Sequence, residues 1–320
     1  MEPDIQSRIT GNSRAIWCII ALAAIAVLFS YRATGLGIEF TGSFRAFFVI
    51  PIVVAVSYYY RRWRPDPWIA TGGEGCAQIA SILLLGMMLA YPLAKLGFPY
   101  RDKELNAIDV WMGFDWRGYL DFFNARPKLG ILSKIAYCSM QLQYPFTILV
   151  LTASSRFLRL QQYIFAIAIA LGVTLAIFTF VPAVGAYAYL GISPDHYANL
   201  DPAVTFGQMQ HVEAMRNGSW SVLRDMEGLI SFPSFHTVSA ILFAWALFPI
   251  RKIGWWVLGL NVALIASTPV QGAHYFVDIF GGGLVSVIAI FLARLCCAPL
   301  RAQRMTTDDK MRAVPTSPMA

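Results

Sequence analysis

The sequence predicts an all-α polytopic membrane protein with about eight transmembrane helices, and three observations predict it. Of 320 residues, 57% are hydrophobic and only 13% are charged, against about 25% charged in an average soluble domain. The apolar residues are gathered into stretches long enough, or nearly so, to cross a bilayer. The basic residues, in turn, collect on alternate connections between those stretches.

Taken in order, the first stretch is residues 14–31. It ends in Leu28-Phe-Ser-Tyr-Arg32, which offers no small-residue cleavage site, so it reads as a retained span. Residues 45–60 form the second and stop at Arg61, Arg62 and Arg64. Together they make an N-terminal two-helix segment, 1–70. Residues 74–96 open a larger membrane domain, 71–298. The connection 97–130 repeats apolar residues at Leu105, Ile108, Trp111 and Met112, then at Trp116, Tyr119, Leu120 and Phe123. That is helical spacing, broken at Gly113, and predicts two short interfacial helices with Trp111, Trp116 and Tyr119 in the headgroup layer. Residues 131–154 and 160–191 read as further spans.

The second long connection, 192–235, is expected to carry a helix over residues 203–216, ended by Asn217-Gly218. Residues 236–250 are short for a span, so their polar start at 232–237 must be buried in the bundle. Spans 253–273 and 274–297 complete the domain. Gly281-Gly282-Gly283 lets a neighbouring helix approach closely. The remainder, 299–320, is rich in Thr, Asp, Lys, Pro and Ser and reads as a disordered cytoplasmic tail.

Charge sets the expected orientation. With the N-terminus inside, 14 of the 25 Lys+Arg and six of the 18 acids fall on one face. The net +7 then divides into +8 on that face and −1 on the other, which is the positive-inside pattern. The basic balance orients the chain and gives no reason to expect nucleic acid. Both termini are expected to be cytoplasmic and the site periplasmic or lumenal, a bacterial inner membrane being the favoured setting. Cys18, Cys76, Cys138, Cys296 and Cys297 lie in or beside apolar spans without metal-ligand spacing, so buried free thiols are expected and no metal or other cofactor is implied.

Two segments carry the chemistry. In Ser231-Phe-Pro-Ser-Phe-His-Thr237, Pro233 ends one segment, Ser234 can cap a helix, and His236 sits in its first turn. In His274-Tyr-Phe-Val-Asp278 the carboxylate follows the histidine by four residues, one helical turn, on the same face. Either segment alone reads equally as a helix start with a structural hydrogen bond. Together, at the same membrane face, they supply the parts of phosphoryl transfer. A histidine held by a carboxylate can be a nucleophile, and a second histidine can move the leaving-group proton. Arg224, Asp225 and Glu227 stand just ahead of the first segment and join the candidate site. His196 and His211 read as surface or packing histidines.

Pro233-Ser234-Phe235-His236 followed by His274 and Asp278 resembles the second and third signature motifs of the phosphatidic acid phosphatase type 2 superfamily. The flanks, Phe232 to Thr237 and Gly272-Ala-His-Tyr-Phe-Val-Asp-Ile279, look most like its inositol phosphorylceramide synthase-like branch. Gly113-Phe-Asp-Trp116 fits that branch more loosely.

The resemblance implies a six-helix core with a site at the membrane surface. It implies His274 as nucleophile, Asp278 as the residue that orients it, His236 at the leaving group and Ser234 on a phosphate oxygen. Phe235 stands where the larger phosphatase branch has glycine, and Thr268 where it has an arginine; both departures favour the synthase-like branch. Positive charge must still meet the transferred phosphoryl group. Arg117, Lys128, Arg216 and Arg224 are candidates, with Gln271 as a neutral donor. The expectation is a metal-independent lipid phosphatase or phosphotransferase acting on a lipid phosphate, with water or a lipid hydroxyl as acceptor. Rival readings are a proton-coupled transporter or flippase of a lipid-linked substrate, using His274–Asp278 as a relay, and a scaffold without activity.

Overall fold

A computed structural model describes residues 3–39, 46–192, 197, 199–200, 202, 213–219, 221–223 and 228–297. The chain opens with α1 (Pro3–Thr34), α2 (Ala46–Arg62) and α3 (Pro67–Lys95). Two short helices follow, α4 (Asp102–Trp111) and α5 (Trp116–Asn124), then α6 (Pro127–Cys138), α7 (Met140–Ala153), α8 (Phe157–Phe180) and the single turn α9 (Ala186–Tyr189). The last three are α10 (Phe235–Leu247), α11 (Arg251–Gly272) and α12 (Phe276–Cys296). Five of these are long and apolar enough to cross a membrane: the Ile9–Thr34 part of α1, then α3, α8, α11 and α12. The all-α polytopic fold is as expected. Its one described sheet is a parallel pair two residues long, β1 (Gly37–Ile38) with β2 (Val222–Leu223).

Helix α8 is the axis of the bundle and packs against α12, α3, α10, α1 and α7. Tyr163, Ala166, Ile167 and Ala170 are fully buried along it. The N-terminal helices lie against α3. There Glu74 accepts from Ser13 Oγ at 2.7 Å and Trp17 Nε1 at 3.0 Å and pairs with Arg61. A smaller apolar cluster sits at the histidine end and includes Leu105, Trp116, Leu120, Tyr187, Val270 and Tyr275.

Four expectations are corrected. The 160–191 span ends at Phe180, because Val181 precedes Pro182 and a residue before proline is pushed out of the α region. The 131–154 span is two helices meeting at Ser139, whose hydroxyl bonds back to Ala136 O at 2.6 Å, a contact that bends helices. Trp116 does not face outward; it is 5% exposed, with its indole on a buried carboxylate, while Trp111 is 84% exposed. The cysteines are unpaired, but Cys18, Cys138 and Cys296 lie on the outer surface of the bundle. The two interfacial-loop helices, broken at Gly113 with φ 76°, stand where the periodicity put them. Residues 299–320 lie outside the described residues, as does most of the expected 203–216 helix, of which residues 213–216 are helical.

Candidate active site

Helix α10 begins at Phe235 because Ser234 caps it, its Oγ accepting from Thr237 N at 3.3 Å. Pro233, Ser234 and Thr237 are buried, as a short span requires of its polar start. Helix α11 ends at Gly272. Ala273 then takes a left-handed φ of 52°, and the chain turns through His274 into α12. The two helix starts are joined directly, Ser234 N donating to Asp278 O at 3.1 Å. Gly282 makes this approach possible, since a Cβ there would lie 2.6 Å from Ser234 O and 2.9 Å from Thr237 Cβ. The glycine run therefore has a packing role, and what it admits is the turn that carries His236.

Asp278 is fully buried, and its Oδ2 gathers three donors. These are Tyr275 N at 3.0 Å, Ser231 Oγ at 3.1 Å and His274 Nδ1 at 3.1 Å. With Asp278 ionised the carboxylate only accepts, so His274 would donate to it through Nδ1 and keep the lone pair on Nε2. The His236 and His274 rings lie 5.8 Å apart, close enough for one phosphoryl group to reach both. On its other side His236 stacks on Tyr137 at 4.1 Å, with Nδ1 3.4 Å from the Tyr137 hydroxyl.

Both histidines line a cavity of about 310 Å³, together with Tyr100, Tyr137, Arg216 and Ser231. Arg216 donates through Nε to Ala94 O at 3.0 Å, and its guanidinium sits 4.1 Å from the Tyr100 ring centroid. Burial pushes the Tyr100 phenol up, and its hydroxyl is buried beside the cavity with no hydrogen-bond partner among the described residues.

The other sequence-predicted residues fall elsewhere. Ser234 is fully buried as the α10 cap. Gln271 is buried and donates to Ser133 Oγ at 2.9 Å, tying α11 to α6 rather than facing the cavity. Arg117 is exposed and not on the cavity wall: Trp116 and Leu120 turn inward on α5, which leaves position 117 on the outer face. Lys128 is also exposed. Thr268, at the position of the missing arginine, is buried and donates to Leu264 O at 3.0 Å within its own helix. Arg224, Asp225, Glu227, His196 and His211 lie outside the described residues. Among the described candidates, Arg216 is the cation on the wall of the cavity that both histidines line.

Sequence reasoning missed two buried carboxylates in the 97–130 connection. Asp109 is fully buried and holds the start of α12, accepting from Phe276 N and Val277 N at 2.8 Å each and from Trp116 Nε1 at 3.1 Å. A negative charge on free helix N–H groups is where it is best stabilised. Asp102 accepts from Tyr275 Oη at 2.9 Å and from Val184 N and Gly185 N near 3.0–3.1 Å. The 97–130 connection is thus bolted to the segment that carries His274. The available signal was the pair of acids spaced seven apart on the apolar side of a helix otherwise read as interfacial.

A family profile described as the PAP2 superfamily matches residues 103–292, more than half of the chain. No curated protein and no solved structure matches.

Proposed function

Because this chain belongs to the PAP2 superfamily, we propose that it is a lipid phosphatase or phosphotransferase working through a phosphohistidine at His274. The observation that carries the reading is the buried Asp278–His274 pair facing His236 across one cavity. In the first step His274 Nε2 attacks phosphorus, the bond to the leaving oxygen breaks, and His236, entering the step as the imidazolium with the substrate phosphate as its counter-charge, gives that oxygen a proton and becomes neutral. In the second, water or a lipid hydroxyl passes its proton to His236 and attacks phosphorus, and the N–P bond breaks. Asp278 holds the His274 tautomer and offsets the positive charge that forms on the ring. Arg216 and the Tyr100 hydroxyl are the groups we assign to the phosphoryl oxygens. The cavity has room for a phosphorylated headgroup, with acyl chains left in the bilayer.

The positive-inside charge division supports a site at the periplasmic or lumenal face. Thr268 and Phe235 support the synthase-like branch, in which the acceptor is an alcohol.

The test is product analysis by mass spectrometry of purified protein in mixed vesicles holding a phosphatidic acid, an inositol phospholipid and ceramide. Free phosphate with dephosphorylated lipid means water is the acceptor; a new phosphodiester lipid with diacylglycerol means an alcohol is. Either product should vanish with His274→Ala and fall about a hundredfold with Arg216→Gln, the usual loss for one transition-state donor. Product formation by His274→Ala at the wild-type rate would refute the mechanism.

A further inference from the structure

At the end of the bundle opposite the histidines, a groove of about 480 Å³ runs between α10 and α11. Ile241, Ala244, Val262 and Ile265 give it apolar walls. Its mouth holds Arg159 of α8 and Arg294 of α12, with guanidinium carbons 3.8 and 5.7 Å from the Trp245 ring centroid. Arg159 donates through Nε and Nη2 to Ala246 O and Trp245 O, the last carbonyls of α10. Its Nη1 meets no described protein acceptor, and Arg294 makes no hydrogen bond to a described residue. Neither arginine has a carboxylate partner among the described residues. Trp245 Nε1, on the same wall, is buried with no acceptor.

Two like charges gathered at a low-dielectric wall are unfavourable alone and complementary to an anion. The groove behind them is mostly apolar, Asn261 being the one uncharged polar side chain on its α11 wall, which suits an acyl chain and not a solvated ion. Basic pockets between transmembrane helices at a cytoplasmic surface take up anionic headgroups by this chemistry. We propose that the groove binds an anionic phospholipid of the leaflet opposite the histidine site. Its phosphate lies between Arg294 and Arg159 Nη1, and one acyl chain lies between α10 and α11. The site is separate from the catalytic cavity, and its test does not depend on turnover.

Full-length protein in a neutral detergent would be titrated with phosphatidylglycerol or phosphatidylcholine and the lipid-bound fraction read by native mass spectrometry. Wild type should prefer the anionic lipid, and Arg294→Gln should lose roughly tenfold in its affinity, the worth of one charge-assisted hydrogen bond. Arg62→Gln removes the same charge from an exposed position at the same end of the bundle and should change nothing. Equal losses in Arg294→Gln and Arg62→Gln would mean diffuse attraction and overturn the proposal. Competition by millimolar glycerol phosphate would overturn it in favour of a soluble phosphate ligand. A preference that appears only in protein truncated after Cys297 would assign the groove to the chain's own tail.

Discussion

Asp109 touches neither histidine, yet it fixes where His274 stands. Its two oxygens take the first free N–H groups of α12 and the Trp116 indole, so the start of the helix cannot shift without breaking two bonds to a carboxylate that Trp116 holds in place. Asp109→Asn turns one acceptor into a donor aimed at a donor, and leaving such buried groups unmet costs about 1–3 kcal/mol. We expect kcat to fall ten- to a hundredfold with KM little changed, as for other residues that orient a reacting group from behind. Steady-state kinetics beside a thermal melt would check this; a lowered Tm with wild-type kcat would make Asp109 structural only. The residues legible in the sequence were those whose partners are local: His274 and Asp278 are four apart, and Ser234 and Thr237 three. Asp109 and Asp102 were not legible because their partners lie across the chain, at Phe276 and Tyr275. Arg216 was one of four candidate cations and stood behind Arg117 and Arg224, until the fold placed it on the cavity wall.

Among elements, the contact between α10 and α12 decides whether there is a site. Neither helix carries a complete set of groups, and what joins them is the Ser234 N–Asp278 O bond and the close passage over Gly282. Gly282→Val puts a branched side chain where even a Cβ would meet the Ser234 carbonyl at 2.6 Å. Overpacking of this kind costs about 1–3 kcal/mol and would separate the two histidines. The expected result is loss of most activity in protein that still inserts and elutes as the wild type does, read by turnover and size exclusion. Full activity would show that the histidine spacing tolerates the shift. Hydropathy located most helices because long apolar runs are what a bilayer requires. It failed at 160–191, where it counted through Pro182, and at Trp116, where an aromatic beside a hidden carboxylate looks the same in sequence as one beside a headgroup.

For the whole molecule, the charge division makes an assignment that the fold makes testable. Lys128 lies at the histidine end and Arg251 at the other, and both are exposed. Single cysteines at these positions, in a variant lacking Cys18, Cys76, Cys138, Cys296 and Cys297, should react with an impermeant maleimide from opposite sides in intact cells. Position 128 should label from outside and position 251 only after permeabilisation; the reverse pattern would invert the orientation and move the site to the cytoplasm. One dimension of the fold then acquires a meaning of its own. Helix α10 has 13 residues and so measures about 20 Å, whereas the hydrocarbon layer is about 30 Å thick. No residue of α10 is exposed, so the missing length is not left to lipid, and the bundle itself encloses the polar start of the helix. A phosphate bound for His236 therefore passes between protein walls, and it is those walls that decide which headgroup can follow.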